Sequence, residues 1–335
     1  MNQRKQDSGL SRREALKCLV QGAAAAAIMP RRLTAAGDKV RIVRVESDRV
    51  WKGERRDPEV VAAMIDRGMA AFTGKATAAE AWAGLFAPYR RVGLKINLLG
   101  RPRVYTACEI TDAVTAALVR AGIQGGNIVV WDRPEHHFAQ TDYKLGRGRH
   151  GERIEGGGCY QLCYKNSRSY VATSTCGALP VDQIPLTWTD ATVNLPVLKN
   201  HGIAGVTGAL KNIAFGCYHN TPQAHDNQCD PFIAEAYESF TAVNALPLIV
   251  MDATEGCFDG GPVPASRSVI WKENAIYLGS DPVALDRVCC RLIAAKRQAA
   301  GLADVTPMAR HIDTAAAKGL GVADPGRIDV VIVRI

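Results

Sequence analysis

Apolar positions along this chain come in two textures. Short continuous runs, Val40–Val45, Val92–Leu99, Ile128–Trp131, Ala191–Leu198, Leu248–Met251, Ala275–Leu278 and Ile328–Ile335, read as strands buried on both faces. Between them lie stretches with helical spacing. Asp57-Pro58 offers an N-cap and a first-turn proline and predicts a helix to about Phe72. Further helices are predicted over Ile110–Ala121, over Pro231–Ala245 and from Asp281-Pro282 onward. Residues from about 136 to 190, richer in Gly, Ser, Tyr and Cys, lack periodicity and predict an irregular central insertion carrying a hairpin. Continuous strands separated by helices imply a doubly wound α/β fold, a largely parallel sheet with helices on both faces.

Composition agrees with that picture. With 335 residues, 47% hydrophobic and 22% charged, the chain can bury a full core, and one α/β domain over residues 37–335 accommodates it. The net charge of +8 suggests nucleic acid until it is located. Residues 1–32 hold seven basic side chains against two acidic ones, so five of the eight net charges are local to that segment. No basic stripe interleaved with aromatics follows, and a nucleic-acid partner is not expected.

The basic segment has the layout of a targeting signal. Ser11-Arg12-Arg13-Glu14-Ala15-Leu16-Lys17 precedes a short alanine-rich apolar run to Met29, then small residues at Thr34-Ala35-Ala36. It resembles a twin-arginine export signal over residues 1–36, which implies the twin-arginine translocation machinery as a partner and a periplasmic or otherwise exported protein. An amphipathic helix of a cytosolic protein is the alternative. The apolar run falls far short of the ~20 residues that span a bilayer, and no integral membrane segment is expected in the mature chain.

Ten cysteines occur, and none forms a Cys-x-x-Cys pair. Cys159 and Cys163 are the close pair, open to a disulfide, to ligand duty or to remaining thiols; Cys289-Cys290 falls in a helical pattern as packing. His136-His137 and Cys217-Tyr218-His219 lack a matched ligand spacing. No metal site is assigned.

The ends of the apolar runs share a chemistry. Lys95 and Asn97 end one, Lys199-Asn200-His201 another, and Lys211-Asn212 follow a glycine-rich turn as a third; Asp252 closes "LIVMDATEG", and Asp281 and Asp286 lie in "GSDPVALD". Ligands of open α/β sheets bind outside the carboxyl ends of the strands. A lysine in apolar surroundings is costly unless an anion or a carboxylate pairs it, and neighbouring amides orient what it holds. Two readings follow: an anion site, or an ionic network in which Asp252 pairs the lysines. Asp281 before Pro282 also fits an ordinary helix cap.

The pieces "VGLKINLL", "NLPVLKNHGIAGVTGALKN", "IVMDATEGCFDGGPVP" and "GSDPVALD", in this order, resemble the DUF362 family, an uncharacterised group often described as iron–sulfur-centre-associated. The resemblance covers roughly residues 90 to 295. It carries family site positions onto Lys95, Asn97, Lys199, His201, Lys211, Asn212, Asp252, Gly261, Pro262, Asp281 and Asp286. It implies an iron–sulfur cluster, for which the cysteine spacing supplies no motif, so the cofactor stays unassigned. Three functions are expected to compete. The first is an enzyme acting on a phosphate- or carboxylate-bearing molecule, with the lysines holding charge and His201 and Asp252 as the catalytic pair. The second is a redox protein with a metal or cluster. The third is a non-catalytic periplasmic binding protein for the same anion.

Overall fold

The apolar runs lie edge to edge in one sheet. A computed structural model describes residues 39–132, 135–143, 160–163, 169–173, 177–181, 189–218 and 223–335. The segment expected to be an export signal, Cys159 and His219 lie outside the described residues, and Cys163 is described as backbone only. Among the described residues the strands are β1 Val40–Glu46, β2 Trp51–Lys52, β3 Arg55–Arg56, β4 Val92–Lys95, β5 Ile128–Asp132, β6 Tyr160–Cys163, β7 Ser169–Thr173, β8 Gly177–Val181, β9 Ala191–Asn194, β10 Val197–His201, β11 Gly205–Val206, β12 Ala245–Cys257, β13 Ile270–Gly279 and β14 Ile328–Arg334. The helices are α1 Pro58–Thr73, α2 Ala78–Phe86, α3 Cys108–Arg120, α4 Gly208–Cys217, α5 Phe232–Thr241, α6 Pro282–Ala299 and α7 Arg310–Ala317.

The main sheet runs β14-β1-β13-β12-β9-β4-β5-β6, with β10 also on β12 and β11 on β10. Pairs β14–β1, β12–β9, β9–β4, β4–β5, β5–β6 and β10–β12 are parallel, while β13 runs antiparallel to both its neighbours. The α/β class and its mainly parallel sheet are as expected. Every residue of β4, β5, β9 and β12 is buried, because helices cover both faces. One face packs Val61, Met64, Trp82, Phe86, Ile110 and Val114 of α1–α3. The other packs residues of α4–α7, among them Ile213, Phe232, Leu285 and Ile312.

Local chemistry sets the element ends. Asp57 accepts the N–H groups of Glu59 and Val60 to start α1, and left-handed Gly74 ends it. The run 191–198 divides into β9 and β10 because Pro196 cannot donate to a ladder; its carbonyl instead accepts the Asp252 N–H at 2.9 Å. The hairpin expected in the insertion is β7–β8. One expectation is corrected. Lys211 and Asn212 do not end a strand; they stand in the first turns of α4. Glycines suggested a turn there, but Gly208, at a left-handed φ of 55°, opens the helix instead.

The chain leaves β4 toward β5 on one side, whereas β9 has β12 on its other side. The β4–β9 boundary is therefore the switch point at which crossovers diverge, where this architecture opens a crevice at the carboxyl ends.

Candidate functional site

A cavity of about 130 Å3 lies at that crevice, walled by Lys95, Asn97, Asp132, His201, Lys211 and Phe215 together with Leu99, His137, Thr207, Asn212, Gly216, His225 and Pro262. Void of that size admits a small molecule, since a cavity of about 150 Å3 takes up benzene. Six of the sequence candidates meet here: Lys95, Asn97, His201, Lys211, Asn212 and Pro262.

The lysines are not equivalent. Lys95 Nζ, buried at the end of β4, lies 2.8 Å from Asp132 Oδ1 at the end of neighbouring β5. It also donates to the Ile96 carbonyl at 2.5 Å and to Asn212 Oδ1 at 3.3 Å. Burial would raise the Asp132 carboxyl, but Lys95 outweighs it and holds the carboxyl below its usual range. Asp132 Oδ2 accepts the Leu98 N–H at 2.8 Å. Gly216 of α4 makes room for this lysine, as a Cβ there would sit 2.2 Å from Lys95 Cε.

Amides tie the lysines into one network. Asn97 donates to Asn212 Oδ1 at 2.9 Å, Asn212 to Asn194 Oδ1 at 2.7 Å, and Asn194 to the Ala209 carbonyl at 2.9 Å. Lys199 enters from the other end, donating to Asn97 Oδ1 at 2.7 Å and to the Leu99 carbonyl. It is fully buried and stands behind Asn97 rather than on the cavity wall. Both of its hydrogen-bond partners among the described residues are uncharged. Burial, with Lys211 and Lys95 nearby, pulls its pKa down to about 7.

Lys211 does stand on the wall, with Nζ 3.2 Å from the centroid of the Phe215 ring one turn along α4. His201, at the end of β10, faces the same cavity. Its Nδ1 accepts the N–H groups of Ile203 at 3.2 Å and Ala204 at 3.1 Å, so the neutral ring carries its proton on Nε2. Burial first, then Lys211, His225 and Lys199, push its pKa down to about 2. His201 is thus a neutral donor at pH 7.

The remaining candidates lie elsewhere. Asp252 Oδ2 accepts the Ala107 N–H at the start of α3 at 2.9 Å, and Oδ1 accepts from the Thr254 N–H and hydroxyl at 3.1 and 2.7 Å. The counter-ion of Lys95 is therefore Asp132, not Asp252. Asp281 caps α6 through Ala284 and also holds the Val322 N–H. Asp286 reaches across to α4, accepting the Ala209 and Leu210 N–H groups at 2.5 and 3.0 Å. Gly261 packs against Asn200, where a Cβ would lie 2.2 Å from the Asn200 carbonyl oxygen, and so brings Pro262 to the wall.

Sequence reasoning missed Asp132, Thr207, Phe215 and His225. Asp132 carried a signal, since it ends an apolar strand as Lys95 does. His225 lies in an irregular segment without period, and its ring stacks on His201 at 5.8 Å between centroids.

The cysteines that are described do not gather. Cys257 Sγ approaches Asn200 and Asp259, and Cys289 Sγ approaches Met251. Among the described residues no group of three His, Cys, Asp or Glu side chains could hold a metal ion, so they offer a cluster no ligand set. Among the same residues no helix is long and apolar enough to cross a membrane.

No curated relative matches the chain at a significant level. The family described as "Domain of unknown function (DUF362)" matches residues 92–291, a span running from the first residue of β4 into α6 that contains every residue of the cavity wall. The chain belongs to the DUF362 family.

Proposed function

We propose that this protein binds a small anionic molecule, carboxylate- or phosphate-bearing, in the cavity at the carboxyl ends of β4, β5 and β10. The observation that carries the reading is the wall itself. Lys211 brings a cation to it, His201 brings a neutral Nε2–H donor, and Asp132, the wall carboxylate among the described residues, is engaged by Lys95 and the Leu98 N–H. Preorganised donors in a water-poor cleft favour an acceptor-rich, negatively charged guest. Binding is better supported than proton transfer. His201 is held neutral with Nδ1 occupied, and Asp252 is committed to Ala107 and Thr254.

Calorimetric titration of the full chain with a panel of carboxylates and phosphates tests this, with Lys211→Met as the control. The expected result is saturable binding that weakens at least tenfold in Lys211→Met, the scale of one charge-assisted hydrogen bond. Absence of binding by every anion, or equal affinity in the variant, would remove the proposal. The protein is further proposed to act outside the cytoplasm after twin-arginine export, a reading supported by Arg12-Arg13 and the apolar run behind them.

A further inference from the structure

Resting on that anion-binding reading, we propose that Thr207 is a further guest-binding residue, whose hydroxyl donates a hydrogen bond to an oxygen of the bound anion. Thr207 occupies the N-cap position of α4, where a threonine hydroxyl ordinarily accepts the N–H of the second or third helical residue. In α4 those residues are Ala209 and Leu210, and both N–H groups go instead to Asp286 of α6, at 2.5 and 3.0 Å. Glycine admits that carboxylate, because a Cβ on Gly208 would lie 2.3 Å from Asp286 Oδ1. Thr207 itself has helical dihedrals, φ −78° and ψ −58°, rather than the extended ones of a capping residue, and its side chain makes no cap bond. Its hydroxyl is thereby released from the helix.

The released hydroxyl belongs to a residue of the cavity wall. Thr207 is only 5% exposed, and its Oγ1 is buried with no hydrogen-bond partner among the described residues. Leaving a hydroxyl so is costly, and buried polar groups in native proteins are otherwise bonded, so this one calls for a partner from outside the chain. Its frame is fixed. The Thr207 N–H donates to the Lys199 carbonyl at 3.0 Å, and β11, which ends one residue earlier, pairs with β10 at Asn200–Val206 and His201–Gly205. One hairpin thus carries two polar groups to the cavity wall, the Thr207 hydroxyl and the His201 Nε2–H, the latter set by the two backbone N–H groups that occupy Nδ1. An oxyanion can accept from both. A guest offering only donors would satisfy the hydroxyl but meet the His201 proton with another proton.

Calorimetric titration at pH 8 with acetate, propionate and inorganic phosphate, on wild type, Thr207→Val and Thr207→Ser, tests the assignment. Valine keeps the shape and removes the hydroxyl, so the tightest-binding of these anions should bind about tenfold more weakly, the scale of a hydrogen bond to a charged group. Serine keeps the hydroxyl and should stay within about threefold of wild type. With no anion added, Thr207→Val should melt no lower than wild type, because the hydroxyl it lacks had no partner to lose. If valine does not fold, Thr207→Ala and Thr207→Ser, which differ in the hydroxyl alone, take the places of valine and wild type in both measurements. Equal affinity with and without the hydroxyl would assign it to bound water and overturn the inference, leaving the anion reading standing. An anion-free melting midpoint several degrees lower without the hydroxyl would make the group structural and also overturn it. No binding of any of these anions to the wild type would end both.

Discussion

Lys95 and Asp132 close a buried ion pair at 2.8 Å between the ends of two adjacent parallel strands, with side-chain exposures of 1% and 6%. Lys95→Met should take the balancing cation from the buried Asp132 carboxylate and cost about 3–5 kcal/mol, as removal of one member of a buried pair does. Urea denaturation at pH 7 measures it. The carboxyl is held below its usual range in the fold, so its contribution is present above the unfolded value of about 3.9 and lost as pH falls through the lower folded one. A loss under 1 kcal/mol in Lys95→Met would show that the pair is incidental.

Lys199 gives a pH signature of opposite kind. Its pKa falls to about 7 in the fold, against about 10.4 in an unfolded chain. Between those values the unfolded state binds more protons, so stability rises with pH there, by up to about 1.4 kcal/mol per pH unit from this group. Lys199→Met loses hydrogen bonds to Asn97 and Leu99, but it also loses that slope. The difference between wild type and variant should therefore move in favour of wild type from pH 7 to pH 10. Parallel stability curves for the two proteins would refute the assignment of a depressed Lys199.

Asp286 is a test of architecture. Asp286→Ala leaves the Ala209 and Leu210 N–H groups buried without an acceptor, at about 1–3 kcal/mol each. Burial raises the Asp286 pKa to about 7 even though both N–H groups oppose the rise. The folded state thus binds the proton more tightly, and the stability this confers is full below about pH 4 and lost as pH rises through 7. The penalty of Asp286→Ala should accordingly narrow over that range, as chemical denaturation at pH 5 and pH 7 would reveal. A penalty that widens instead would mean that the carboxylate is the favoured buried form.

Export is checked independently of the fold. If the proposed twin-arginine signal is read by its receptor, replacing Arg12 and Arg13 together by lysine should leave the melting temperature unchanged and the protein inside the cytoplasm. Cell fractionation followed by immunoblotting measures it. Normal export of the double variant would assign the segment to another route.

Much of the site was legible because a lysine or an asparagine that ends an apolar run is costly to bury unless it has a partner to hold. Lys95, Asn97 and His201 sit at or just beyond the ends of β4 and β10, and they line the cavity. Lys211 and Asn212 reach it by a different route, from a helix that a glycine-rich stretch disguised. The acids were harder to read. A carboxylate that binds a ligand and one that caps a backbone have the same letter and the same apolar neighbours, and Asp252, Asp281 and Asp286 all proved to hold backbone N–H groups. Which acid pairs Lys95 depends on strand order, and the adjacency of β4 and β5 is a tertiary fact. Phe215 and His225 gave no periodic signal of their inward role, since one lies in α4 and the other in an irregular turn.

The closure of the α4 N-terminus by Asp286 has an evolutionary corollary. In many α/β proteins, main-chain amides at such a helix start cradle the guest, and changing the guest means rebuilding a loop. Here two of those amides already have an internal acceptor, so on the proposed reading discrimination would pass to side chains of the wall: a lysine, an imidazole and a phenyl ring. Each can be exchanged by point mutation without disturbing the peptide path, so divergent members of such a lineage could acquire new guests while their backbones stay superimposable.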